Sequence, residues 1–318
     1  SVRTTEKRPF LKELDRLPLP AWDLLPNLTR FYQPALIRHV QLPAAYVITA
    51  RGCPHQCTFC AGRATLGRLY RTHSVDYVFV MIKKLQKDYC IRDITFYDEV
   101  LTANKRRINS LCDRFMSEKL GLTWSCDARV DTVDLPLLKK MKAAGCGNIS
   151  YGIESGSQKI LDEYKKGITV EQIKNALNWT REAGIISSGF FMFGAPSETR
   201  ETMQETVDLL KEIELDYFTP FFFGPQPGDD IYPRAKELGQ FEDDWSKMNG
   251  VNLIFIPNNV TRQDMEWYFK KALLTFYLRP KTILNFIKQI NSLSYLQRLI
   301  RGGIGFLLIM CRRTLTKS

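Results

Sequence analysis

From Tyr46 onward one pattern repeats: a short apolar run, a polar loop, then a longer stretch whose apolar residues return every third or fourth position. The short runs are "AYVITA", "DITFYD", "LTWSCDARV", "NISYGIE", "ISSGFFMFGA" and "YFTPFFF", and they predict six β-strands. The longer stretches predict helices over 75–89, 105–120, 135–144, 170–183 and 199–213. Strict alternation of strand and helix implies a parallel sheet, and right-handed crossovers curl such a sheet into a partial or complete barrel. In folds of this kind the chemistry gathers at the carboxyl ends of the strands. Residues 1–44 are Pro-rich, as in "RLPLPAWDLLPN", and lack a sustained period, so they read as an extended lead-in lying on the surface of something larger. The pattern therefore divides the chain into a lead-in (1–44), a barrel core (45–232) and a mostly helical extension (233–318).

Composition adds little until charge is mapped. At 44% hydrophobic and 25% charged residues, the 318-residue chain is ordinary for a globular protein. The formal net charge is +11, but residues 1–266 carry 35 Lys and Arg against 34 Asp and Glu, whereas residues 267–318 carry ten Lys and Arg and no acid. A body this balanced argues against nucleic acid as a partner, and the excess charge belongs to the tail. The eight cysteines do not make a disulfide framework, and no signal peptide precedes them, which places the expected compartment in a reducing cytoplasm.

Three of those cysteines change the picture. In "ITARGCPHQCTFCAG", Cys53, Cys57 and Cys60 fall within eight residues, just past the first strand, with Gly52 and Pro54 supplying irregular turns. The spacing folds the loop around a single object. Three thiolates suit an iron–sulfur cluster with one iron left open to a substrate or cofactor, because such clusters normally take four cysteines. Zinc is the alternative, with His55 completing a Cys3His set, although no second ligand pair follows. Cys90, Cys112, Cys126, Cys146 and Cys311 stand singly and read mostly as small core residues, with Cys126 able to point into the barrel.

"CPHQCTFC" resembles the C-x3-C-x-aromatic-C motif of the radical S-adenosylmethionine (radical SAM) enzymes. The resemblance runs from about Tyr46 to Tyr232 and implies a TIM-like, six-stranded partial (β/α)6 barrel, a [4Fe–4S] cluster on Cys53, Cys57 and Cys60, and SAM chelating the open iron. It further implies an external electron donor of flavodoxin or ferredoxin type, reductive cleavage of SAM, and hydrogen abstraction by a 5′-deoxyadenosyl radical. By the same resemblance Phe59 lies near the adenine, and Asp98 and Glu99 of "FYDEVLTAN" lie where relatives contact the SAM amino group. Glu154 and Ser155 of "GIESG" face the ribose or methionine portion. Gly194 of "FMFGAPSET" allows close backbone approach on the adenine side, with Glu198 opening the next helix. Arg129 of "CDARVD" offers its planar fork to the SAM carboxylate.

A narrower resemblance is to radical SAM enzymes that carry an amino-terminal cobalamin-binding domain, through "RPFLKELDRLPLPAWDLLPN" and "TWSCDARVDTVD…ISYGIESGSQKIL". The cobalamin ligand pattern D-x-H-x-x-G is absent from this sequence, so either a cobalamin domain lies upstream of Ser1, which is the expectation, or the protein has lost it. "YRTHSVDYV" and "PQPGDDIY" depart from the usual pattern after the cluster loop and after the sixth strand, which leaves the substrate open. The expected chemistry is methylation, cyclisation or rearrangement at an unactivated carbon of a small-molecule or lipid-like substrate. Two alternatives stand beside it: a tRNA-modifying methylthiotransferase-like radical SAM enzyme, and a zinc-stapled, non-catalytic binding protein. The tail, with Ile283, Phe286, Ile287 and Ile290 at helical spacing and the run Ile304–Met310 between Arg301 and Arg312–Arg313, reads either as a cap on the barrel or as a peripheral membrane contact.

Overall fold

Alternation along the predicted strands sorts their side chains into two layers, and the computed structural model shows where each layer goes. It describes residues 3–305 except 4, 7, 33, 36, 37, 289, 291–298 and 301. Six strands, β1 (Ala44–Val47), β2 (Asp93–Phe96), β3 (Thr123–Ala128), β4 (Cys146–Glu154), β5 (Ile186–Phe193) and β6 (Tyr217–Phe222), pair in parallel in chain order. Among the described residues β1 and β6 stay unpaired with each other, so the sheet is the open, partial form of the expected barrel. Ile94 and Phe96, Trp124 and Cys126, and Ile149, Tyr151 and Ile153 point outward into the helix layer. Thr95, Ser125 and Asp127, at the alternate positions, point inward. Cys126 therefore belongs to the helix-facing core and not to the lumen.

The outer layer holds α1 (Val75–Tyr89), α2 (Lys105–Glu118), α3 (Leu135–Ala143), α4 (Val170–Glu182) and α5 (Arg200–Glu212), within two residues of the bounds the periodicity predicts. Their starts are set by side chains that satisfy orphan backbone N–H groups: Ser74, Asn104, Asp134, Thr169 and Thr199 each accept from a backbone N–H of the first turn. Cys112 and Cys146 are buried beside Cys126, but Cys90, expected among the core residues, is exposed at the left-handed cap ending α1.

The lead-in is extended as expected, yet it is part of the barrel. Leu14, Trp22 and Leu28 are buried, Asp15 accepts from Ser74 N at 3.0 Å, and Tyr77 Oη donates to Leu17 O at 2.7 Å. Farther along it closes the amino-terminal mouth. Thr95 Oγ1 donates to Arg38 O at 2.8 Å, Val40 N donates to Asp93 Oδ2 at 3.0 Å, and the Arg38 guanidinium pairs with Asp127. Inward-facing polar residues at that end find their partners in this segment, which is why it lacks a period of its own. The extension shares the same core through α6 (Arg262–Tyr277), whose Phe269 stacks on Phe222 with ring centroids 4.3 Å apart. A short antiparallel pair, Gly239–Phe241 with Phe255–Pro257, carries the segment between them back over the end of β6. Of the tail, Arg301, Arg312, Arg313 and Cys311 and the run after Gly305 lie outside the described residues.

Candidate active site

The cysteine loop is held at its base by a two-residue antiparallel pair, Ala50–Arg51 with Arg71–Thr72, so residues 52–70 leave and return at one point above the carboxyl ends of the strands. Gly52 opens the loop with φ +90°, and a Cβ there would lie 2.3 Å from Leu69 O, so no other residue fits. Cys53 N donates to Gly67 O at 3.2 Å and Cys60 N to Cys57 O at 3.3 Å. Farther elements clamp the centre: Thr58 N donates to Tyr164 O, and Asp230 N donates to Thr58 O, both at 2.9 Å. The three thiols are half-buried. Burial pushes the Cys53 and Cys60 thiols above their ordinary value, and the neighbouring thiols and Glu99 push the same way. Among the described residues no group of three or more His, Cys, Asp or Glu side chains is gathered as a metal site. Three thiols on one loop are a donor set for an iron–sulfur cluster that leaves one iron open.

Beside Cys60 opens a cavity of about 530 Å³. Phe59, Cys60, Glu99 and Glu154 line it together with Phe190, Met192, Phe221 and Phe222. Glu99 is exposed in it, its carboxyl raised by desolvation first and by Asp98 second. Gly62 keeps the gap open between sulfur and carboxylate. A Cβ at Gly62 would stand 3.2 Å from Cys60 Sγ and 3.4 Å from Glu99 Oε2, filling the space a cofactor would occupy. Gly62→Val should therefore leave iron loading intact while weakening SAM binding by more than about tenfold, ~1.4 kcal/mol. Equilibrium dialysis of the reconstituted protein against labelled SAM reads this directly, and unchanged affinity would remove Gly62 from the site.

Glu154 ends β4 in the left-handed region, φ +69°, after a bulge between Gly152 and Glu154 that turns its side chain toward the loop. Lys166 Nζ donates to its Oε1 at 2.6 Å, and both side chains are buried. The same ammonium lies 5.6 Å from the Phe59 ring centroid, while Phe59 meets Tyr164 edge-on at 4.8 Å. Arg129 reaches the loop from the end of β3. Its Nε and Nη2 each donate to Asp131 at 2.9 Å, Nη2 also donates to Lys166 O, and Nη1 stands 3.8 Å from Cys57 Sγ. Arg129 is therefore already matched to a carboxylate of the chain itself. Lys166 is absent from the sequence-derived set. Its signal was the cation pair in "YKKG", twelve residues past Glu154, which nothing local connects to the cluster loop.

Three expected contacts are not brought to the cavity. Asp98 is buried and spoken for: Thr49 N and Ala50 N donate to Oδ1 at 2.5 and 2.8 Å, and Thr49 Oγ1 donates to Oδ2 at 2.6 Å. It ties the end of β2 to the base of the cysteine loop. Ser155 faces α5, its hydroxyl 3.2 Å from Thr206 Oγ1. Gly194 has φ +103° and packs against the extension, where a Cβ would meet Met265 Cε at 2.7 Å. Its N–H and that of Ala195 donate to Glu198 Oε2 at 3.1 and 3.3 Å, so the backbone here is claimed from within.

Glu198 also accepts from Thr202 Oγ1 at 2.6 Å, and burial pushes its carboxyl up to about 7 from 4.5. A raised acid binds its proton more tightly folded than unfolded, so its contribution to stability is full below pH 4.5 and is lost as pH rises through about 7. Glu198→Gln keeps an oxygen for the two N–H groups and should flatten the stability profile across that window by ~3 kcal/mol. Parallel urea titrations from acid to neutral pH test this; identical slopes for both proteins would place the proton elsewhere.

A barrel mouth with a three-thiol loop, an adjoining carboxylate-lined cavity and two buried cations defines an iron–sulfur enzyme of the partial-barrel class. Residues 47–210 match the family model of the radical SAM superfamily, and the chain belongs to that superfamily. Its members use a [4Fe–4S] cluster and SAM. The chain is 32% identical over 303 residues to an uncharacterised methyltransferase of Pyrococcus horikoshii, covering 95% of this chain and 64% of that one. It is 28% identical over 317 residues to an anaerobic magnesium-protoporphyrin IX monomethyl ester cyclase of Cereibacter sphaeroides, covering 96% and 50%. Its fold is similar to that of the radical SAM methyltransferase TsrM from Kitasatospora setae, solved with cobalamin and a [4Fe–4S] cluster bound, with a TM-score of 0.56 and 18% identity over 70% of this chain and 45% of that one. The chain thus spans roughly half to two thirds of the length of these relatives.

Proposed function

We propose that this chain is the catalytic barrel of a cobalamin-assisted radical SAM enzyme that methylates or cyclises an apolar small molecule at an unactivated carbon. The observation that carries the reading is the cavity beside Cys60, lined by Glu99 and Glu154 together with Phe190, Met192, Phe221 and Phe222. Similarity to a methyltransferase along nearly the whole chain, and to a cyclase along a similar length, supports both reaction types.

Cys53, Cys57 and Cys60 would hold the cluster, which together with SAM supplies the one-electron cleavage that starts hydrogen abstraction. Glu99, exposed beside Cys60, would accept from an amino group. Lys166 and Arg129 bring positive charge against the loop, where they hold Glu154 and Asp131 in place. Glu154, whose Oε1 takes Lys166, would accept from ribose hydroxyls through its other oxygen. Phe190, Phe221 and Phe222 would hold an apolar body by contact area and shield the reacting carbon from water. Tyr46 and Tyr97 meet edge-on at 5.2 Å, and the Arg38 guanidinium lies 5.1 Å from the centroid of Phe190, one of the cavity's lining rings.

Methyl transfer needs a methyl carrier, so we further propose that cobalamin is bound outside residues 1–318. The test is anaerobic reconstitution of this chain with iron, sulfide and a chemical reductant. SAM cleavage without methyl transfer is expected, with methyl transfer restored only when a cobalamin-binding domain is joined upstream. A chain that loads iron and sulfide but cleaves no SAM would overturn the reading.

A further inference from the structure

Beyond α6 the chain turns at Arg279 and forms α7 (Pro280–Lys288), and this helix is only half used by the fold. Its inner side packs well: Thr282 is buried, and the Phe286 ring lies 5.6 Å from Tyr217 and 6.1 Å from Tyr277. Arg279 Nη1 donates to Leu210 O and Ile213 O at 2.7 and 3.2 Å, and Lys281 pairs with Glu214, so the helix is fastened to the end of α5. Its outer side is aliphatic. Ile283, Leu284 and Ile287 occupy adjoining positions one turn apart and are 42%, 54% and 57% exposed, with Leu278 before them and Ile290 after them also exposed. A barrel cap would turn these residues inward and its polar residues outward. Here the reverse holds for the aliphatic face.

We propose that α7 is a membrane-docking face that lays Ile283, Leu284 and Ile287 into the headgroup layer of an anionic lipid surface. Exposed aliphatic contact alone does not choose its occupant; charge does. From Trp267 to Ser318 the sequence has ten Lys and Arg and no Asp or Glu, whereas the preceding 266 residues are balanced at 35 against 34. An acid-free basic segment bearing an exposed aliphatic helix face is complementary to a negatively charged apolar surface. It is not complementary to a second copy of itself, which would bring like charges together. No helix among the described residues is long and apolar enough to cross a bilayer. This inference does not depend on the radical SAM reading.

The test uses the whole chain and a charge-neutral triple variant, Ile283→Asn, Leu284→Asn and Ile287→Asn, on vesicles of phosphatidylglycerol with phosphatidylcholine and of phosphatidylcholine alone. Thermal unfolding of both proteins without vesicles checks that the exposed substitutions leave the fold intact. The wild type should sediment with the anionic vesicles at low salt, less at high salt, and little with the neutral ones. The variant should lose at least about tenfold in anionic-vesicle partitioning with an unchanged melting temperature. Equal partitioning of the two proteins, or a wild type that stays in the supernatant, overturns the proposal. So does a wild-type dimer that the variant converts to monomer, or a variant that melts markedly lower, since each would mean that protein already covers this face.

Discussion

Cys57→Ala should yield a folded chain that cannot retain a complete [4Fe–4S] cluster and whose SAM cleavage falls to background, by at least ~10³-fold or about 4 kcal/mol. The loop's shape does not depend on that sulfur. It is set by Gly52, by the Thr58 backbone held between Tyr164 and Asp230, and by the backbone bond from Cys60 N to Cys57 O. The loss would therefore be one of ligation, leaving two thiolates for a group that needs three. Cys112→Ala makes the contrast. That thiol is fully buried in the helix layer, so its removal should cost about 1 kcal/mol of stability and leave iron content and SAM cleavage unchanged. Iron and sulfide analysis with anaerobic product assays would separate the two. Full SAM cleavage by the Cys57 variant would sink the cluster assignment.

The Glu154–Lys166 pair should show the second largest effect. Both side chains are less than a tenth exposed and 2.6 Å apart, so Glu154→Ala strands a buried ammonium and should destabilise the fold by ~3–5 kcal/mol. Replacing both with Met removes the stranded charge and should recover most of that stability, because an apolar pair of similar volume needs no desolvation. SAM binding separates a structural pair from a cofactor contact. The double variant should melt near the wild type and still bind SAM weakly. Recovery of SAM affinity along with stability would reduce the pair to a strut between β4 and the segment after it. Gly152 bears on the same geometry, since a Cβ there would stand 2.5 Å from Glu154 Oε1 and 2.8 Å from Lys166 Nζ.

What could be read without coordinates was what depends on near neighbours in the chain. Strand alternation and helical spacing are consequences of burial on one side of each element, and both the six strands and five of the helices follow from them. The three-cysteine loop was legible because all its ligands come from one turn-rich segment, whose shape Gly52 and its neighbours impose locally.

The partners across the chain were decided only by the folded sheet. Asp98 and Glu99 are adjacent in "FYDEV", yet one turns back to hold Thr49 and Ala50 while the other opens into the cavity, because the chain leaves β2 at Phe96 and turns at Glu99. Which side faces the mouth is set by the curl of the barrel, which no pair of neighbouring residues encodes. Gly194, a natural choice for close cofactor approach, is approached by Met265 of α6, seventy-one positions later. Lys166 acquires its meaning only when β4 and the turn after it bring it against Glu154 and Phe59. The kind of chemistry was written in residues close enough to act as one ligand set. The site's remaining charges depend on long-range register, where a buried ion pair forms only after the chain has excluded water from both partners.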